Sequence, residues 1–174
     1  FTMQDGLSRV NRLRYDTPGF NGLRLAFSIG QGSETEVGVK YTGNWDGNQL
    51  DARAFIVDTS DFSGPNTDIF GYSASYLMAS GYNVTIAFAD VDFATGADRD
   101  AFTVKVGYKQ GIHAYTVDIG EGSTGASDAD TFGLTYAAVI DKGIEVFATI
   151  RELDSDVAGA TSIDIIAVGS RIKF

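Results

Sequence analysis

The chain has 174 residues, enough for one domain or one broad sheet, and its 13 Lys and Arg against 23 Asp and Glu leave a net charge of −10. So acidic a chain lacks the clustered cations that phosphate backbones require, which excludes nucleic-acid binding. It has no Cys for a disulfide or thiolate site and a single His (His113), too few imidazoles for the usual zinc hydrolase sets.

Period two dominates the pattern from end to end. Eleven strands are predicted, over residues 9–17, 22–31, 34–43, 49–59, 68–78, 82–92, 99–109, 112–121, 130–139, 144–154 and 161–174. The first alternates Arg12, Arg14 and Asp16 with Leu13 and Tyr15, and the next three add Arg24, Lys40 and Arg53. Further on, Val84, Ile86 and Phe88 alternate with Thr85, Ala87 and Ala89, and Phe102, Val104, Val106 and Tyr108 with Thr103, Lys105, Gly107 and Lys109. Phe132, Leu134, Tyr136, Ala138 and Ile140 keep the same rhythm, as do Ile166, Val168 and Ile172 near the end. Most of these strands are longer than the five or six residues usual in globular sheets, and suit a tilted crossing of a bilayer.

The connections alternate in kind. Tight links close one end (PGFNG, NWDGN, ASGY, KQG, DKG), and long polar ones the other (DTSDFSGPNTD, DVDFATGADRD, GEGSTGASDAD, DSDVAGAT). The turn glycines Gly47, Gly81, Gly111 and Gly143 recur at intervals of 34, 30 and 32, which makes the unit a hairpin, too small for a four-stranded propeller blade. No stretch is apolar enough for a membrane helix, but alternating strands with short turns and long loops are the signature of a transmembrane antiparallel up-and-down β-barrel. Aromatics near strand ends, including Tyr15, Phe20, Tyr41, Phe70, Tyr82, Tyr108, Tyr115, Tyr136 and Phe174, suit two interfacial girdles, and Trp45 in NWDGN reads as a further anchor. An all-β barrel of eleven or more strands is too wide for side chains to fill, so the apolar set is expected outside and the polar set inside. A soluble sandwich or lipocalin-like barrel is the competing fold.

Two segments carry a family resemblance. Arg14-Tyr15-Asp16-Thr17-Pro18-Gly19-Phe20-Asn21-Gly22, after an Arg-bearing strand and before an alternating one, resembles the general bacterial porins just past their inward-folded third loop. The ending VGSRIKF, with Ile172 and a terminal Phe174, resembles the signal read by the barrel-assembly machinery, although Ser170 departs from the large apolar residue often found there. The resemblance implies a trimeric, sixteen-stranded barrel in the outer membrane of a Gram-negative cell, in contact with lipid and lipopolysaccharide. It implies a water-filled channel for passive diffusion of small hydrophilic solutes and ions. On that plan residues 1–8 are the tail of the constriction loop and 9–174 the eleven strands that follow. The expected partners are the N-terminal strands of the same barrel and two further copies of the protein.

Candidate functional residues follow. Arg12, Arg14 and Arg24 are expected inside the pore at similar height, with Lys40 and Arg53 ranked behind them in the same basic wall; charges facing an acidic constriction loop would set up a transverse field. Ordinary interior salt bridges to Asp16, Glu36 and Asp51 are the bland counterpart. Asp90, Asp92, Asp98 and Asp100 are weak candidates for loop-bound Ca²⁺ or Mg²⁺, beside the simpler reading of a solvated acidic rim. No other cofactor is expected, and no nucleophile stands with a base near His113, so no enzyme is expected. A non-porous adhesive or structural barrel and a soluble β-rich binding protein are the competing functions.

Overall fold

A computed structural model describes residues 11–32, 34–59, 67–157 and 161–172. They form one antiparallel sheet whose strands lie in chain order: β1 (Arg12–Asp16), β2 (Leu23–Gly30), β3 (Thr35–Trp45), β4 (Asn48–Asp58), β5 (Thr67–Leu77), β6 (Tyr82–Phe93), β7 (Arg99–Gln110), β8 (His113–Thr124), β9 (Ser127–Asp141), β10 (Ile144–Ser155) and β11 (Ile163–Ile172). Each pairs only with its chain neighbours, so β1 and β11 are edges, and they run in the same direction. The sheet is an unclosed, up-and-down meander. Residues 1–8 and the terminal Phe174 lie outside the described residues, while Ile172 ends β11 opposite Ile144.

Turn chemistry sets the register. Asn21 and Gly22 both have positive φ (49° and 85°), as do Asp46 and Gly47 (50° and 79°). These are the paired left-handed residues of a type I′ hairpin, whose twist matches that of the strands. A Cβ at Gly22 would also lie 2.1 Å from the Thr42 carbonyl oxygen, so glycine is required there twice over.

One link differs from expectation. The polar stretch 121–130 is not a long loop: β8 and β9 continue until Thr124 pairs with Ser127 and close through Gly125–Ala126. Gly125 has φ +63°, the left-handed first residue of a type II′ turn. At this end both faces are polar, so the strand runs on after its apolar alternation has stopped.

Alternation sorts the side chains between two unlike faces. Buried residues such as Ser28, Val57, Ala87, Ala89, Val91, Ala101, Asp118 and Thr131 share one face, and most are small. Tyr15, Phe27, Ile56, Phe102, Val106, Leu134, Ile150 and Ile166 occupy the other and are exposed. One face crowded with small side chains and one splayed with large ones means that the sheet curls with its polar face inside. Among the described residues no apolar core of large side chains forms, and the outward side chains are removed from water only if lipid covers them.

The outward face is banded. At the tight-turn end Tyr82, Tyr108, Tyr115 and Tyr136 stand directly opposite one another across β6 to β9, with ring centroids 4.5 Å apart for Tyr82–Tyr108 and 5.3 Å for Tyr115–Tyr136. Trp45 stacks on Tyr76, with ring centroids 5.9 Å apart. At the other end the outward positions become acidic, and like charges face each other: Asp58 and Asp68, Asp68 and Asp92, Asp90 and Asp100, Glu121 and Asp130, Asp130 and Asp154, Glu152 and Asp164. Between the two bands lies an uncharged apolar belt.

Candidate functional site: a basic wall on the concave face

Strand parity alone assigns Arg12, Arg14, Arg24, Lys40 and Arg53 to the concave face, and the register divides them into two groups. In the first, Arg14 pairs with Ser28 and Ser28 with Glu36. Arg12 Nη1 donates to Glu36 Oε2 at 2.7 Å, and Ser28 Oγ donates to the same oxygen at 3.1 Å. Arg14 Nη1 lies 3.7 Å from Glu36 Oε1, and its Nε donates to Asp16 Oδ2 at 3.1 Å. A 10% exposed Glu36 side chain therefore stands between two guanidinium groups. Hydrogen-bonded opposite charges offset the desolvation that an isolated carboxylate would suffer there.

In the second group Arg24, Lys40 and Arg53 are consecutive cross-strand partners on β2, β3 and β4. Asp51 holds two of them: Lys40 Nζ reaches Oδ2 at 3.0 Å, and Arg53 Nε donates to Oδ1 at 2.8 Å. Arg24 has no ion pair among the described residues. Cations facing one another cost stability unless anions balance them, and Asp51 balances only part of this row.

This arrangement corrects the expected heights. Arg12 and Arg14 are not level with Arg24, because Arg14 stands opposite Ser28, four residues and about 14 Å of strand from Arg24. Residues 17–20 lengthen the link, with Thr17 N donating to the Leu25 carbonyl at 2.9 Å, so ladder pairing starts only at Asp16 and Ala26. Lys40 and Arg53, ranked lower in the sequence, share the row of Arg24. Alternation tells which face a residue takes, but not how high it sits.

A second cluster carried no sequence signal. Arg151 Nη2 donates to Asp118 Oδ2 at 2.5 Å across Gly133, which separates them in the sheet. A Cβ at Gly133 would come within 2.8 Å of both side chains. The sequence separation of 33 conceals the contact until the register is known. Two concave-face phenylalanines also rest on glycines: Phe55 over Gly71 and Phe147 over Gly169, with a hypothetical Cβ only 2.5 and 2.7 Å from the rings.

The charge sorting is complete for cations. Arg99, Lys105, Lys109, Arg151 and Arg171 join the five residues above, so every Lys and Arg within the described strands takes a concave-face position. The metal candidates go the other way. Asp90, Asp92 and Asp100 occupy outward positions near the acidic rim, with Ser123 Oγ donating to Asp100 at 2.5 Å, and Asp98 accepts from Phe93 N at 2.9 Å in the adjoining link. Among the described residues no three His, Asp or Glu side chains are grouped so as to hold a metal ion. His113 Nδ1 lies 2.8 Å from Tyr136 Oη on the outward face, in the aromatic band.

An apolar outer belt and a charged concave wall are the two sides of a membrane-spanning β-barrel. The family model for Gram-negative porins matches residues 2–158. The chain belongs to that family. As a porin chain it is an outer-membrane protein, which agrees with the aromatic and acidic bands flanking its belt. Solved structures agree on the fold. Acinetobacter baumannii OccAB4 superposes with a TM-score of 0.74 at 10% identity, over 94% of this chain and 53% of that one. The anion-selective porin of Comamonas acidovorans gives 0.67 at 17% identity, over 92% and 56%. The Vibrio cholerae outer-membrane protein OmpT lacking loop L8 gives 0.64 at 12% identity, over 92% and 62%. This porin chain thus spans between about half and three-fifths of those barrels. Among curated proteins no sequence matches it.

Proposed function

We propose that this chain forms the larger part of the wall of a passive diffusion channel, a non-enzymatic pore for small hydrophilic solutes and ions. The observation that carries the reading is the charge sorting: strand cations all take the concave face, and the outward belt between the aromatic and acidic bands has none. Such an arrangement suits a water-filled interior and a hydrocarbon exterior. Open edges at β1 and β11 would leave backbone groups unpaired in lipid, so the barrel is completed by further strands, five on the sixteen-strand plan. Family resemblance supports a homotrimer with three separate pores, in contact with lipopolysaccharide. Arg12, Arg14, Arg24, Lys40 and Arg53 line the lumen, with the Arg24 row its least neutralised part.

The test is planar-bilayer recording of the full-length protein. Stepwise conductance arriving in threes is expected, and replacing Arg24, Lys40 and Arg53 together by Gln should move the reversal potential in a salt gradient towards cation preference. A folded protein that inserts without conducting refutes the channel. Unchanged selectivity in the triple variant refutes the role of the row.

A further inference from the structure

We infer that the recess beside the Arg24–Lys40–Arg53 row binds small organic anions that carry an aromatic or apolar body next to the charged group. This rests on the pore reading above and adds a substrate class to it. The recess has a volume of about 240 Å³, with Arg14, Asp16 and Glu36 on one side and Arg24, Lys40 and Arg53 on the other. Ala26 and Gly38 form its floor, and these small residues keep it deep.

Two unlike features meet there. One is cationic excess: Asp16 and Glu36 serve Arg14, and Asp51 serves Lys40 and Arg53, whereas Arg24 has no ion pair among the described residues and is exposed. An incoming carboxylate meets a guanidinium that gives up no existing ion pair to receive it, with two more cations in the same row. The other feature is Phe55, two residues from Arg53 and on the same face of β4. A wall that only had to be wet would gain nothing from a phenyl ring at this height. Here the ring is accommodated by Gly71 beneath it, where a Cβ would lie 2.5 Å from the ring tip. A flat apolar surface beside a cation with no ion pair among the described residues matches a ligand with a carboxylate at one end and a ring or short alkyl chain at the other. Inorganic anions and short acids use only the cations, so the predicted discrimination is between anions of equal charge and different body.

The experiment uses the full-length protein in planar bilayers, with benzoate, acetate and inorganic phosphate as probes of current block, and benzyl alcohol as the uncharged counterpart. Benzoate is expected to block at a concentration at least threefold below acetate or phosphate, and benzyl alcohol not to block. Phe55→Ala should bring benzoate and acetate together, and Arg24→Gln should weaken both. Phe147→Ala, at the other ring-over-glycine contact, should leave the benzoate-to-acetate ratio as it was. Ala26→Leu raises the floor without touching the ring and should also abolish the preference, which keeps the test decisive if Phe55→Ala does not fold. Equal block by benzoate and acetate in the unaltered channel overturns the inference, as does a preference that survives both Phe55→Ala and Ala26→Leu. Calorimetric titration of benzoate in detergent separates the two levels of the reading. Conduction without benzoate preference removes the subsite alone, whereas benzoate binding by a folded protein that does not conduct removes the channel and keeps the site.

Discussion

A one-residue displacement of charge on β7 tests the orientation of the whole sheet. Val104 stands on the outward face, opposite Ile86 on β6 and Ile119 on β8. It lies midway between Asp100 of the acidic band and Tyr108 of the aromatic band, which are eight residues apart. That interval is about 27 Å along a strand at ~3.4 Å per residue, or about 21 Å of height at a tilt of ~40°. An arginine at 104 would start about 10 Å from either polar boundary, too deep for its head group to reach water without strain. Val104→Arg should therefore destabilise the folded protein in bilayers by about 2–4 kcal/mol, a change of roughly 30- to 900-fold in the folding equilibrium. Thr103→Arg moves the same charge to the concave face, where its cross-strand neighbours are Ala87 and Gly120. Their small size leaves room for the longer side chain, and a cost under about 1 kcal/mol is expected, as for a surface substitution. Reversible urea titration of the full-length protein in lipid vesicles, followed by tryptophan fluorescence and heat-modifiable mobility, measures both. Equal tolerance of the two arginines, or a larger loss from Thr103→Arg, would falsify the assignment of lipid and water to the two faces.

The Asp118–Arg151 contact should behave as a coupled pair: Asp118→Ala alone is expected to cost about 1–3 kcal/mol, and the same change in an Arg151→Ala background clearly less, in a double-mutant cycle by urea titration. Coupling near zero would mean that Gly133 is small for some other reason. In the acidic band, Asp130 faces both Glu121 and Asp154, so Asp130→Asn should stabilise by about 0.5 kcal/mol at low salt. The gain should fade above ~0.5 M salt as screening shortens the reach of these charges; a salt-independent gain would point to packing instead.

Much of this fold was legible because the membrane imposes a period-two code on every strand that crosses it. Val104 and Lys105 could be assigned to opposite faces from their neighbours alone. The code weakens where the lipid ends. Residues 122–129 are polar or small on both faces, so nothing in Ser123, Thr124 or Asp128 marked them as strand, and only Gly125 signals the tight turn. Parity is equally silent about register. The row formed by Arg24, Lys40 and Arg53 depends on two pairing offsets, and those depend on where links such as residues 17–22 close. Asp118 and Arg151 were hidden for the same reason, since each is an ordinary strand charge until Gly133 is placed between them.

The shared direction of β1 and β11 has an arithmetic consequence. An antiparallel ring alternates up and down, so its strand number is even, and a segment whose two edges point the same way must be completed by an odd number of strands. Adding or deleting a hairpin changes a barrel by two strands and keeps that parity. Growth of the pore by hairpin duplication, on either side of the closure, therefore preserves the match at both edges, whereas gain or loss of a single strand inverts one of them. Two copies of this sheet inserted in the same orientation and joined edge to edge would meet the evenness condition in number and fail it at each seam, where parallel neighbours would be forced together. Barrels containing this segment can change diameter only in steps of one hairpin.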